Sequence, residues 1–471
     1  MTRAAFALIA VALAMSPALL GAQRQPARPA ELLPGPTTTW SLAAVGDAII
    51  TRRIAQFDNP ADPRFQDMVK VIRGADAAMV NLEISLLRLS GFKGWPEVEN
   101  DGNWELGPPE AAYDLQELGF DLYNRANNHA TDYGVEGMRS TDALLDELGL
   151  VHAGSGLNLG DASRPGYLDT PKGRIAFIGL ATTFTPMSRA GEERGPVRGR
   201  PGINALRIED TYEADPRTFE QLRAAAAAFA DGPADGAGDD EVQLLTQTVR
   251  RGTQTRTITT VNAADEARIL REIRNATSMA DYVVVTSHSH ESMVVPPAWL
   301  SEFIKKCLDA GAATYVIHGP HLLHGIEIYK GKPIFYSLGN FIFQNETIDP
   351  MPADHYEVFD LPETALAADL YDARFSNGTT GFPSNAEYYE SVIAVPTFQG
   401  RQLMELKLYP IELGHKAPRS QRGTPRLADE VTGRKIIERL AKMSMPLGTT
   451  IIYQNGIGVW KRSVTTSQDS Q

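Results

Sequence analysis

Several stretches of this sequence run from apolar residues straight into side chains that bind metals or move protons. "WSLAAVGD" ends at Asp47, "ADAAMVNLE" at Asn81 and Glu83, and "GFDLYNRANNH" at Asn127, Asn128 and His129. "DYVVVTSHSHES" ends in His288, His290 and Glu291, "ATYVIHGPHLLH" carries His318, His321 and His324, and "RIAFIGLA" meets a threonine-rich loop. Carboxylate, amide and imidazole groups are ligands for divalent first-row metals, and a carboxylate can bridge two ions. Collected at one sheet edge, Asp47, Glu83, Asn128, His288 and His321 make a two-metal cup. Such a cup activates a bridging hydroxide and neutralises charge developing on the attacked group. A lone Gly-Asp or Asn-His is ordinary turn chemistry. Five such pieces on successive strand ends are not.

The elements that must position them alternate. Between the apolar runs lie amphipathic helix patterns, "RFQDMVKVIRGA", "PEAAYDLQELG", "GMRSTDALLDELG", "AADEARILREIRNA" and "AWLSEFIKKCLDAG", several stopping at a glycine as helix C-termini do. Strand–helix alternation predicts an α/β fold with both sheet faces covered. In open α/β sheets, sites collect outside the carboxyl ends of strands, so the polar strand ends should converge. Residues 205–262, an Ala-rich helix, a Gly/Asp loop and a Thr/Arg stretch, read as an insertion in a domain spanning 39–345. The rest, 346–471, reads as loop with helical pieces, then two strands joined by "QGR" that complete the sheet, then a terminal helix.

The chain has 471 residues and a net charge of −13, which argues against a general nucleic-acid or anionic-membrane binder. An anionic substrate must be held locally, by metal or by arginine. Arg189, Arg194, Arg198 and Arg200 of "SRAGEERGPVRGRPG" are candidates for that clamp, set against the plainer reading of a solvated loop. Residues 1–22 combine Arg3, an apolar run to Leu20 and a small-residue site at Gly21-Ala22, the pattern of a secretory signal peptide. A proline-rich leader follows over 23–38. The expectation is an exported protein, periplasmic or extracellular, without a transmembrane helix in the mature chain. The single cysteine, Cys307, falls on the apolar face of a helix pattern and reads as core.

"AAVGDAII", "VNLEISL", "RANNHATDYG", "TSHSHE" and "IHGPHLLHGIEIYKGKPIFYSLGNFIF" together resemble the CapA family of capsule and poly-γ-glutamate synthesis proteins, which has a calcineurin-like metallophosphoesterase fold. The resemblance is strongest from Ser41 to Asn345. It implies a four-layer α-β-β-α sandwich with metal at the strand ends, as one or two divalent ions of manganese, zinc, iron or magnesium. On that resemblance Asp47, Glu83, Asn128, His288 and His321 are metal ligands and His129 is the general acid protonating the leaving group. His318 stands beside them. Two departures bear on metal count. Asp47-Ala48-Ile49 lacks the histidine of the family's Asp-x-His, and Gly319 stands where relatives read His-Pro-His, with a histidine displaced to 318.

Other residues carry two readings. Asn81 shares "NLE" with Glu83 as a candidate ligand, and His290 and Glu291 either fix the ring of His288 or are solvated. Asp132 either starts the following helix or supports His129, and Asn340, read as following the strand "PIFYSL", either caps a strand or lines the site. His324 and Glu327 read as structural, at the start of a hairpin around "YKGKP". Two functions follow. One is an exported hydrolase attacking an amide or phosphoester of poly-γ-glutamate or a related anionic envelope polymer, or a small ester or amide, with metal-bound hydroxide. The other is a non-catalytic polymer-assembly or export component. A poly-γ-glutamate synthesis role would normally involve membrane synthase partners encoded separately, and neither role involves nucleic acid.

Overall fold

A computed structural model describes residues 39–54, 62–97, 103–229, 238–291 and 295–462. The signal-peptide and leader expectations fall outside the described residues. Among the described residues, no helix is long and apolar enough to cross a membrane.

The chain is a mixed α/β protein with two principal sheets. Across the first, the order is Ile452–Gln454, Ile457–Lys461, Gln402–Glu412, Glu390–Gln399, Thr39–Ile49, Ala77–Leu82, Leu122–Asn124 and Val151–Ala153. The second runs Ile326–Tyr329, Lys332–Phe335, Thr314–His318, Tyr282–His288, Gly173–Ala181 and Gly166–Thr170. Parallel pairing of Thr39–Ile49, Ala77–Leu82 and Leu122–Asn124 in one sheet, and of Gly173–Ala181, Tyr282–His288 and Thr314–His318 in the other, aligns their carboxyl ends.

Alternation along the strands decides which core each side chain joins. Leu42, Ala44, Met79 and Leu122 of the first sheet pack with Phe177, Val284, Val316 and Phe335 of the second. The neighbouring residues Ala43, Val45, Ala78 and Val80 pack with Met68, Ile72, Leu115 and Leu145 of helices Pro63–Arg73, Glu110–Leu118 and Gly134–Glu147. On the second sheet, Ile178, Val283 and Val285 meet Ile273, Phe303 and Cys307 of helices Ala263–Met279 and Ala298–Ala310. Cys307 is therefore a buried core residue. The glycine stops hold: Gly119 ends its helix at φ 105°, a left-handed conformation open to glycine.

Residues 205–262 contain the helix Pro216–Phe229 and a separate four-stranded sheet, of which Gln247–Arg251 and Arg256–Val261 are the Thr/Arg stretch. Beyond 345, short helices Ala353–Val358 and Ala367–Arg374 precede the antiparallel pair Glu390–Gln399 and Gln402–Glu412, and the helix Glu430–Ser444 follows. One element differs from the sequence reading. Asn340 does not trail the preceding strand but begins its own, Asn340–Phe343, which leaves the second sheet and pairs parallel with Thr39–Ile49, Asp47 opposite Asn340.

Candidate metal centre

Asp47 is aimed by an irregularity. The register of Thr39–Ile49 shifts between Ala44 and Asp47 against one neighbour and between Asp47 and Ala48 against the other, and such bulges re-aim a side chain. Gly46 makes the close approach there: a Cβ at this position would lie 1.7 Å from Gly339 O. The Asp47 amide then donates to that same carbonyl, 3.1 Å away.

Around the Asp47 carboxylate the donors are specific. Oδ1 accepts from Asn81 Nδ2 at 2.8 Å and Oδ2 from Gly319 N at 3.1 Å, and His321 Nδ1 lies 3.4 Å from Oδ2. Burial alone would raise this carboxyl. The His321 hydrogen bond, and the charge that His321, His288 and His318 carry when protonated, outweigh it and hold Asp47 well below the usual carboxylate range. Glu83 Oε1 lies 3.4 Å from His288 Nε2 and 3.9 Å from His321 Nε2.

Asn81 organises the cluster. Asn124 Nδ2 donates to Ala126 O and Asn127 Nδ2 to Leu82 O, which fixes both amides; their nitrogens also face Asn81 Oδ1, at 2.8 and 3.3 Å. The Asn81 oxygen is thereby occupied, and its nitrogen is turned toward Asp47, Glu83 (3.5 Å) and His288 Nδ1 (3.2 Å). Asn128, next in the same turn, is buried. Asn340 plays a like part for His321: its Nδ2 donates to the His321 and Tyr388 carbonyls, so its Oδ1 accepts from His321 Nδ1 at 2.8 Å. The Nε2 of His321 then carries the lone pair.

His318 gives the test of whether a cation fits. Thr286 Oγ1 donates its only proton to Val316 O at 3.0 Å, so the 2.6 Å contact with His318 Nε2 has the ring donating. His318 Nδ1 is left with a lone pair, fully buried, with no hydrogen-bond partner. Burial holds His318 down to about 4 and His288 well below its ordinary value, so both rings are neutral ligands at neutral pH. Ligand atoms of Asp47, His288 and His318, of Glu83, His288 and His290, and of Asp47, Glu83 and His321 each lie within 4.8 Å of one another. Two carboxylates, neutral imidazoles and an orphaned lone pair match a divalent cation in charge and in chemistry.

His129 stands beside this cluster. Its Nδ1 is 2.7 Å from Asp132 Oδ2, and the same oxygen accepts the Glu105 amide at 2.7 Å. Asp132 therefore serves His129; the helix Gly134–Glu147 starts at Tyr133 with no side-chain cap. His129, His290 and His321 line a cavity of about 260 Å³ together with Ile49, Asn103, Glu105, Asn345, Arg374, Phe382 and Tyr388. Glu105, Asn103, Asn345 and Arg374 were not legible as site residues; the only hint is a lone charge between Trp104 and Leu106. Glu291 is half-buried and raised by burial and by the charge of Asp210. Arg194, Arg198 and Arg200 are exposed, Arg200 Nε bonds the Arg189 carbonyl at 2.8 Å, and none of the four lines this cavity. His324 is buried, and Glu327 pairs with Lys305 at 2.9 Å.

Comparison with known proteins points one way. The family model described as bacterial capsule synthesis protein PGA_cap matches residues 41–345. An uncharacterised protein of Sinorhizobium fredii, y4sH, is 40% identical over 440 residues, 89% of this chain and 92% of its own. The capsule biosynthesis protein CapA of Bacillus anthracis is 27% identical over 64% of this chain and 59% of its own length. The PGA biosynthesis protein CapA of Bacillus subtilis is 27% identical over 64% of this chain and 63% of its own.

Proposed function

The chain belongs to the bacterial capsule synthesis protein PGA_cap family, and we propose that it is an exported metal-dependent hydrolase acting on poly-γ-glutamate or a related envelope polymer. The observation that carries this reading is His129, held by Asp132 at 2.7 Å and lining one cavity with His290 and His321. Asp47, Glu83, Asn128, His288, His318 and His321 would hold a divalent metal, which would supply an activated water and neutralise developing charge.

The chain's own groups do the rest. Asn81 and Asn340 orient the ligands, and Asp132 holds His129 Nδ1–H, so Nε2 is the nitrogen that gives a proton to the leaving group. An amide nitrogen and a phosphoester oxygen both accept that proton, which fits cleavage or transfer at either bond. The three cores, helices against each sheet's outer face and one core between sheets, support the four-layer α-β-β-α arrangement of metallo-dependent phosphatases. The capsule role of the Bacillus relatives supports an envelope polymer as substrate and membrane synthases as partners.

Ile49, at the place of the missing Asp-x-His histidine, lines the cavity with an apolar side chain. That favours one tightly held ion. It also favours, as a second reading, a polymer-binding assembly component without turnover. Elemental analysis of the full chain with its Asp47→Ala and His288→Ala variants, after equilibration with manganese and zinc, tests the metal. One or two ions lost in both variants is the expected result. A folded parent chain with no bound metal sinks the hydrolase.

A further inference from the structure

The cavity that His129 lines also carries buried side-chain oxygens that lack a hydrogen-bond donor among the described residues. Glu105 Oε2, Asn103 Oδ1 and Asn345 Oδ1 are buried, belong to residues lining the same 260 Å³ space and have no hydrogen-bond partner among the described residues. The Asn103 Nδ2 is already spent on Glu105 Oε1. A buried acceptor left unmade costs free energy that a ligand's N–H groups recover. Beside them Arg374, at the end of the helix Ala367–Arg374, brings a guanidinium close enough to act on Glu105 by charge. A carboxyl that an approaching cation would ionise, set beside a guanidinium, matches a ligand that carries both an ammonium and a carboxylate.

We propose that Glu105, Asn103, Asn345 and Arg374 form a subsite for a free α-amino acid head, its ammonium on the acceptors and its carboxylate on the guanidinium. This rests on the hydrolase reading only for its position, next to the proton donor. A γ-linked glutamyl chain presents such a head at its amino end, because the γ-linkage leaves ammonium and carboxylate on the same carbon of the first unit. An α-linked peptide does not. The subsite thus makes this chain an end-reading enzyme that works inward from a free amino terminus. One of its four residues, Arg374, lies beyond the matched 41–345 region, so residues 346–471 contribute to selectivity. The Glu105 amide and His129 Nδ1 share Asp132 Oδ2, which ties occupancy of the subsite to the placing of the proton donor. Glu105 is pushed up to about 7, chiefly by burial, and an ammonium partner restores its charge.

Calorimetric titration of the manganese-equilibrated full chain with a γ-linked glutamate tetramer, free or acetylated at its amino end, tests this. The free form should bind about tenfold or more tighter, as expected for a charge-assisted bond to a buried carboxylate. Glu105→Gln should bring the free form down to the acetylated one, and Arg374→Gln should weaken both, with metal content and the melting transition checking the fold. Equal affinity of the parent chain for both tetramers, or no binding of either, overturns the subsite without recourse to a variant. Titration of the His129→Ala chain separates the two ideas. A preserved preference for the free end with no turnover detectable in the parent removes the hydrolase and keeps the subsite. Turnover with no end preference does the reverse.

Discussion

Two concavities in this molecule differ in the opposite sense from their size. The larger, about 1020 Å³, is lined by Arg88, Arg139, Asp142, Asp146, His152, Asp161 and Arg164, and none of the metal-centre residues reaches it. Several of its charged groups are paired: Arg164 with Asp161 at 2.9 Å and Arg88 with Glu110, while His152 Nε2 lies 3.2 Å from Asp146 Oδ1. The smaller, about 260 Å³, opens on His129, His290 and His321 and has buried polar atoms that nothing among the described residues satisfies. Paired charges facing water need no ligand and contribute little. Buried acceptors without donors do need one. The groove has such an atom too, His152 Nδ1, so it is the grouping of unsatisfied oxygens beside His129, and not volume, that marks the smaller cavity as the candidate site.

The contrast can be broken in four ways, taken from the largest effect down. His129→Ala should lower turnover of a γ-glutamyl or phosphoester substrate by about 10²–10⁴-fold, while elemental analysis finds the metal retained. Loss of metal in that variant would make His129 a ligand instead. In the groove the largest effect should be on folding. Arg125 is fully buried, bonds the Leu82 and Ile84 carbonyls and is paired with Asp142 at 3.0 Å. Asp142→Ala leaves that guanidinium without its carboxylate and should cost about 3 kcal/mol in denaturant melts, with turnover per folded molecule unchanged.

Glu105 gives the third. Its carboxyl is raised from 4.5 to about 7 in the folded chain, so between those values the native state holds more protons than the unfolded one. Stability therefore falls as pH rises through that window, by up to roughly 3 kcal/mol. Glu105→Gln should flatten the dependence, read as melting midpoints at pH 4.5 and 7. An unchanged slope would mean that this carboxyl is charged and matched in the folded chain. The fourth is the smallest. Arg139→Ala, an exposed side chain of the groove, should shift stability by less than about 0.5 kcal/mol and leave turnover alone; a marked loss of turnover would give the groove a function.

The strand ends were legible because each is a local pattern. "VVVTSHSH" and "AAVGD" put the apolar run and its polar end on one element, and parallel pairing brings such ends together. The His129–Asp132 contact is local too, three residues apart on one turn. Asn81 and Glu83 sit two apart, on one side of a strand, so the sequence raised both but could not say which side chain orients the other. What it could not reach was tertiary. Asn340 faces Asp47 only because its segment changes sheets. Glu105 enters the cavity because Leu106–Gly107 pairs with Ser85–Leu86, and Arg374 because a short helix of weak pattern folds over it. The Arg189–Arg200 loop shows the converse, a sequence cluster that the fold carries elsewhere.

The ligand set is divided. Asp47 and Glu83 come from the first sheet or its strand ends, His288, His318 and His321 from the second. A cation bound among them is a clasp across the seam between two layers, in a chain whose one cysteine is buried and free. By mass action, every tenfold excess of free metal over its dissociation constant adds about 1.4 kcal/mol to the docked state. If the site takes a cation, metal supply in the surroundings would add to the apolar core in holding the two sheets together.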